Sequence, residues 1–359
     1  MLIRNCYVTG TLTKNPSSHY TVAGLVNFVG KDAKIYDCWT NTEIITTGTT
    51  SLGKPAVGAG AGLVGGNSGT IKNCYALGTV MATRGGVGLI YGNYATGVVE
   101  DCYAGDVENI TALSNTQMKQ ATSYPNWNFV HKWAIDPAIN SGYPYHKPLP
   151  AAPDFDGTHY LISTMDDLWW LTQRPDMWDK NYRQTADIDA SETSNWGREG
   201  FEPIGNSFNF RYAWAGNYFT GNYDGGGHSI SNLYINRPLT GFTGFFGRAS
   251  GGELKNLRIA DANISSTDCV SALAGLTDLC TITNCSSSGA VNATSSCVGG
   301  LIGFCKGDSI NLTIDRCFST ANVATSYSSG VSTYGAGLGG LPGQCVATGR
   351  ILRRFRGRE

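Results

Sequence analysis

The 359-residue sequence predicts an all-β chain folded as parallel β-solenoids, with short helices at the caps. Three observations predict this fold. An apolar residue, a spacer, Asn or Asp, Cys and an aromatic recur in that order along the chain. A glycine-flanked apolar motif alternates with that series. The composition, with 47 glycines and only 15% charged residues, suits turns and short strands.

The first motif reads IRNCYVTGTL at 3–12, IKNCYALGTV at 71–80, VEDCYAGDV at 99–107, ITNCSSSGAV at 282–291 and IDRCFSTANV at 314–323. Its cysteine falls at Cys6, Cys38, Cys74 and Cys102, then at Cys285 and Cys317, in steps of 32, 36 and 28 residues and later 32. Leu257 stands 28 residues before Cys285, in the same frame. Periods of this length mark stacked repeats. The second motif reads AGLVNFVG at 23–30, AGLVGG at 61–66, VGLIYG at 87–92, TGFFG at 243–247, SALAGL at 271–276 and GGLIGF at 299–304. Each repeat therefore supplies three short strands separated by turns, enough for one coil.

In a parallel solenoid, equivalent residues of successive coils lie about 4.8 Å apart, so every position becomes a ladder. Ile3, Ile35, Ile71 and Ile282 are expected to stack inward. The six motif cysteines form a structural ladder of small buried thiols. The Asn or Asp bonds backbone groups at a turn, and glycines supply positive φ where the coil bends. The general handedness of parallel crossovers predicts a right-handed coil.

Five segments follow in order. Residues 1–110 read as a solenoid that begins inside a longer protein, because Met1 stands two residues before a repeat and no leader precedes it. Residues 111–147 read as a closing cap. There Ser114 and Gln117 have capping-box spacing for a helix near 115–121. Trp127, Trp133, Tyr143 and Tyr145 are expected to cover the solenoid's open end. Residues 148–157, rich in proline, read as a linker. Residues 158–250 read as the N-terminal cap and first coils of a second solenoid, with Ser163 and Asp166 capping a helix that stops before Pro175. Residues 251–359 read as further coils cut short at the C-terminus. In that tail ILRRFR at 351–356 sets Arg354 where the motif has Cys317. A buried unpaired guanidinium does not fit a ladder, so residues 346–359 are expected to add little to stability.

These motifs resemble those of bacterial proteins carrying the GLUG motif, whose Gly-Leu-any-Gly core appears here as GLVG at 62–65 and GLIG at 300–303. The stretch from TADIDA through YDGGGHSISNLYI is similar to the opening of such regions, and the WNF to NSGYPY stretch to their closing. The resemblance covers nearly the whole chain. It implies a β-helix at the cell surface, as in adhesin-like proteins and the repeat regions of immunoglobulin A1-specific metallopeptidases. It implies no defined catalytic activity.

The chemical motifs are read against that background. GAGLVG at 60–65 and GAGLGG at 335–340 fit G-x-G-x-x-G, but a turn and strand follow the first rather than the helix a dinucleotide site needs. The ladder cysteines are spaced too widely for C-x-x-C zinc sites. An extracellular setting offers disulfides as an alternative to free thiols. Parallel Cβ vectors about 4.8 Å apart favour the thiols. Cys269 and Cys297, also 28 residues apart, are expected to form a second ladder. Asp187, Asp189, Asp224 and His228 make the most polar cluster. A polysaccharide-acting β-helix enzyme would set two carboxylates across a groove. The simpler reading has these side chains bonding turn amides. No H-E-x-x-H, G-x-S-x-G or P-loop is present.

The formal net charge of −1 with no basic stripe argues against nucleic acid as a partner. No apolar run is long enough for a membrane-spanning helix. The expected function is a non-catalytic, extracellular or surface scaffold that adheres to glycans or proteins, with no cofactor and no metal. A polysaccharide-acting enzyme and a spacer of a secreted peptidase are the alternatives.

Overall fold

The structure is a computed structural model. It describes residues 1–14, 21–46, 59–82, 86–105, 112–205, 217–294, 297–307, 313–326, 338–339 and 342–347. The chain divides into two compact units, Met1–Lys147 and Pro148–Glu359. Each is a parallel β-solenoid of short strands, as the repeats predict. Of the expected weak tail at 346–359, residues 346–347 end the strand Pro342–Ala347, and the rest lies outside the described residues.

In the first unit the coils stack in the sequence frame. Ile3 pairs with Ile35, Ile35 with Ile71, and Ile71 with Val99. The strands after the cysteines stack Tyr7 on Trp39, Trp39 on Tyr75 and Tyr75 on Tyr103. The glycine motif supplies a third side, where Val26, Val64 and Ile90 align. Ile35, Leu63, Ile71, Cys74, Ala76 and Leu89 belong to one interior core.

The structure gives the first motif a reason for every letter. The Asn or Asp before the cysteine turns the chain through the left-handed region: φ is 53° at Asn5, 52° at Asp37, 51° at Asn73 and 51° at Asp101. Asn and Asp are the non-glycine residues that tolerate this conformation best. The second unit repeats the device at Asn256 and Asn284, with Arg316 in the same conformation in IDRC. The asparagines also form a ladder, since Asn73 Nδ2 donates to Asp37 Oδ1 at 3.2 Å. Asn73→Ala is expected to cost about 1–2 kcal/mol through the left-handed strain alone. Asn73→Gly loses the ladder bond but not the conformation, and costs less. Equal shifts of the urea midpoint for both variants would show that conformation does not select the residue.

After the corner the side chains alternate. Cysteine points inward, the aromatic outward, and the next alanine inward again. Trp39, Tyr75 and Tyr103 therefore lie in a second cluster, with Leu113, Met118, Tyr124, Trp127 and Trp133. The expected role of the closing segment is thus corrected: besides adding a strand at the last coil, it packs along the outer face of several coils. Ala112 pairs with Ala104. Trp127 Nε1 donates to the Asp101 carbonyl at 2.8 Å, Tyr75 Oη to the Pro144 carbonyl at 2.5 Å, and Lys132 Nζ to Asp37 Oδ2 at 2.8 Å. Outward aromatics need a cover because a bare apolar face on a sheet is costly to hydrate. The expected capping box is present: Ser114 and Gln117 bond reciprocally on helix Asn115–Met118. That helix ends three residues short of the expected 121, and a 3-10 turn follows at Ala121–Ser123.

His146 sits at this cover. Its Nε2 lies 2.8 Å from the Asp37 carbonyl, so that nitrogen carries the proton, and its ring is 4.3 Å from Trp133. Burial lowers its pKa, more than the Asp37 contacts raise it. The unfolded chain takes up a proton near the ordinary histidine value of about 6.5, whereas the folded one resists it. Stability from this group is therefore complete above that value and falls as the pH drops through it. The melting temperature of the first unit is expected to decrease from pH 7.5 to 5.5, and His146→Gln to flatten the decrease. An unchanged slope in the variant would remove His146 as the cause.

The second unit opens with strand Tyr160–Ile162 and helix Met165–Gln173. The cap of this helix is Thr164 with Asp167, one residue later than the expected Ser163 and Asp166. The shift follows from packing: it leaves Leu168, Trp169, Trp170 and Leu171 buried in the core, with Trp178 and Trp196 nearby. Phe155 bridges to Tyr160, so the last residues of the proline-rich stretch already pair with this unit. One sheet then stacks Tyr160, Tyr182, Tyr223, Leu254, Ile282 and Ile314 in register. A second stacks Ile235, Ile264, Val291 and Val323, and a third Phe246, Ala274, Ile302 and Pro342.

Candidate functional site

Three places gather the side chains that carry chemistry. The first is the cysteine ladder. Cys38, Cys74, Cys102 and Cys285 are buried, whereas Cys6 is exposed and Cys317 half-buried. Cys6 departs from the expectation of a buried row because no described coil stacks on its outer side. The ten cysteines with described side chains are free thiols. Each ladder thiol donates across the left-handed corner to the carbonyl two residues back: Cys6 to Arg4 at 3.1 Å, Cys38 to Tyr36 at 3.2 Å, Cys74 to Lys72 at 3.1 Å, Cys102 to Glu100 at 3.1 Å, Cys285 to Thr283 at 3.4 Å and Cys317 to Asp315 at 3.2 Å. The cysteine is thus more than a small apolar filler. It gives that carbonyl a second donor beside the amide of the neighbouring coil, as Tyr36 O accepts from the Asn5 amide at 3.2 Å and Lys72 O from the Asp37 amide at 3.0 Å. Burial pushes the Cys74 thiol well above its ordinary range, so it stays protonated and unreactive.

The second place holds the carboxylates of the second unit. Asp187 Oδ1 accepts from the Ser229 amide at 2.7 Å and its hydroxyl at 3.0 Å, and lies 3.7 Å from His228 Nδ1. Asp189 accepts from Asn232 Nδ2 at 2.9 Å and from the Ser191 amide at 3.0 Å. Asp224 Oδ1 accepts from the Gly226 amide and from Asn256 Nδ2, both at 2.9 Å. Asn284 in turn donates to Asn256 at 2.9 Å, so Asp224 is the terminal acceptor of an amide ladder. The Ser229 bonds hold Asp187 below the usual carboxylate range, and those from Asn232 and Ser191 do the same for Asp189. At Asp224 burial pushes upward, but the Asn256 and Gly226 bonds outweigh it. All three are stabilised as anions that fix turns. A general acid requires the opposite shift.

The third place is the outer face of the long parallel sheet in the second unit. Tyr234, Asn263, Ala290 and Asn322 stack in one row. Asn236, Ser265, Asn292 and Ala324 stack in the next row on that face. Asn263, Asn292 and Asn322 are exposed. Such rows present amide and hydroxyl groups at the coil spacing of about 4.8 Å. The sequence shows the polar residues but not their alignment, because a bulge shifts the register between Ile259 and Ala262.

GAGLVG forms strands Gly60–Ala61 and Val64–Asn67, followed by strand Thr70–Lys72. It has no helix to bind a pyrophosphate, and its glycines serve coil packing. No helix among the described residues is long and apolar enough to cross a membrane.

Fold and side-chain placement together define a parallel β-solenoid repeat protein. The chain is 38% identical over 148 residues to halomucin of Haloquadratum walsbyi, a match covering 40% of this chain and 2% of halomucin. The chain thus spans a very small part of that relative. Among solved structures it is similar to a "putative immunoglobulin A1 protease" from Bacteroides ovatus, at 16% identity and a TM-score of 0.34, covering 56% of this chain and 66% of that one. That likeness is too slight to bear on fold or function. No family model matches the chain.

Proposed function

We propose that this chain is a non-catalytic repeat scaffold of a surface or secreted protein, that its repeats are of the GLUG type, and that its outer ladders hold extracellular glycans or proteins. One observation carries the reading: the carboxylates that the sequence marks for chemistry are each engaged by turn amides or a ladder asparagine. The similarity to a short piece of a far larger protein agrees with a repeat module. The aligned asparagine rows supply a regular hydrogen-bonding surface for an extended ligand. The test is a screen of the chain against polysaccharides and proteins, for binding and for turnover. Binding without turnover is expected, weakened by Asn263→Ala combined with Asn292→Ala. Asp187→Asn, Asp189→Asn and Asp224→Asn are expected to lower stability only. Product formation that vanishes in one of these aspartate variants, with its fold intact, would overturn the scaffold reading in favour of a polysaccharide-acting enzyme.

A further inference from the structure

We propose that Asp268, Cys269 and Cys297 form a buried site for a thiophilic divalent cation of the zinc class. Their ligand atoms, one carboxylate oxygen and two Sγ, lie within 4.8 Å of one another, and all three residues are buried. Among the described residues this is the one group of three such donors close enough to share an ion.

The fold brings the donors together in two steps. Val270 pairs with Val298, so the two cysteines stand at equivalent places in adjacent coils. Both have left-handed backbone, with φ of 51° at Cys269 and 64° at Cys297. This is uncommon for cysteine, and the corner recurs one coil earlier at Phe242, with φ of 54°. The left-handed residue of the ladder motif precedes its cysteine, whereas here the cysteine itself takes the corner. Asp268 is held in place because its Oδ1 accepts from the Cys269 amide at 3.0 Å. Around the thiols, Phe242, Leu276 and Phe304 form an apolar cluster separate from the main core.

The donor chemistry selects the ion. Two thiolates favour zinc or copper(I), and the carboxylate shifts the preference to zinc. Zinc–sulfur bonds of about 2.3 Å and zinc–oxygen bonds of about 2.0–2.2 Å set tetrahedral donors roughly 3.3–3.8 Å apart. With donor atoms within 4.8 Å of one another, the group needs a contraction of about 1.5 Å at most to reach that geometry. The fourth position is left for water or an exogenous ligand. Binding converts two thiols to thiolates and releases two protons per ion, with no change of oxidation state. The site ties neighbouring coils together and is independent of whether the scaffold reads glycans or proteins.

The test uses the full chain, reduced and stripped with a chelator, then titrated with zinc against a competing dye. One ion per chain is expected. Cys269→Ser, Cys297→Ser and Asp268→Asn are each expected to weaken binding at least about tenfold. Cys6→Ser and Cys317→Ser are expected to leave it unchanged. Should the first set fail to fold, the wild-type chain still decides. Zinc is expected to slow alkylation of Cys269 and Cys297, relative to buried Cys280 and Cys305, by peptide mass. Failure of the reduced wild type to bind at micromolar zinc would overturn the proposal. So would binding that survives both serine variants, zinc protection spread evenly over all buried cysteines, or a Cys269–Cys297 disulfide in place of an ion.

Discussion

Gly62→Ala is expected to destabilise the first unit by about 3 kcal/mol, at the upper end of the usual overpacking range. A Cβ built at Gly62 would lie 1.9 Å from the carbonyl oxygen of Gly88 and 3.0 Å from the Ala76 Cβ. At Gly24 the same atom would lie 2.0 Å from the Gly62 carbonyl oxygen. The obstruction is the backbone of the neighbouring coil, which no rotamer change relieves. Moving that coil would disturb the Leu63 amide bond to the Leu89 carbonyl, 3.0 Å long, and the buried leucines beside it. The effect is steric, since Gly62 does not have the positive φ that itself demands glycine. Gly30→Ala is the control, because nothing lies within 4 Å of its added Cβ. Urea unfolding followed by far-ultraviolet circular dichroism should show a lower midpoint for Gly62→Ala and almost none of that shift for Gly30→Ala. Equal shifts would mean that close coil approach is not why the motif begins with glycine. In the second unit Ala272 holds the corresponding place in SALAGL, with its amide 3.3 Å from the Gly300 carbonyl, so spacing there admits a methyl group.

The solenoid was legible because its period is written in residues that cannot be exchanged freely. The steps of 32, 36 and 28 between motif cysteines are the same steps that separate Ile3, Ile35, Ile71 and Val99 in the sheet. What the sequence concealed is direction and partnership. Asn73 reads as a generic turn residue, while its left-handed backbone and its bond to Asp37 depend on the coil below. Tyr75 follows Cys74 in the motif, yet the two face opposite sides of one sheet. Strict alternation carries that signal, and Cys-Tyr-Ala at 74–76 is too short to show it alone. The helix cap moved from Ser163 to Thr164 because burial of Trp169 and Trp170 sets the helix phase, and local spacing cannot weigh that. The carboxylate cluster was legible as composition only. Its partners Ser229, Asn232 and Asn256 lie 42, 43 and 32 residues away, brought near by stacking rather than by sequence proximity.

Trp133→Ala is expected to have the largest effect on the closing segment, about 3–5 kcal/mol. Trp133 is fully buried, with ring centroids 4.5 Å from Trp127, 6.1 Å from Tyr75 and 4.3 Å from His146. Its strand, Trp133–Ala134, pairs antiparallel with Tyr145–His146, so the same residue joins both halves of the cover. Removing the indole leaves a cavity against the outer aromatic row. The inner core of Ile35, Ile71, Cys74 and Leu89 is a separate cluster on the other side of the sheet and loses no contact. Two stages are therefore expected on titrating Trp133→Ala with urea: release of residues 119–147 first, then loss of the coils. Limited proteolysis should cut that segment early while far-ultraviolet circular dichroism keeps its β signal. Trp133→Phe should cost much less, since Trp133 Nε1 makes no hydrogen bond among the described residues and its loss leaves no acceptor unpaired. A single cooperative transition in Trp133→Ala, with strand signal and segment lost together, would show that the outer aromatic row is a condition for the coils themselves.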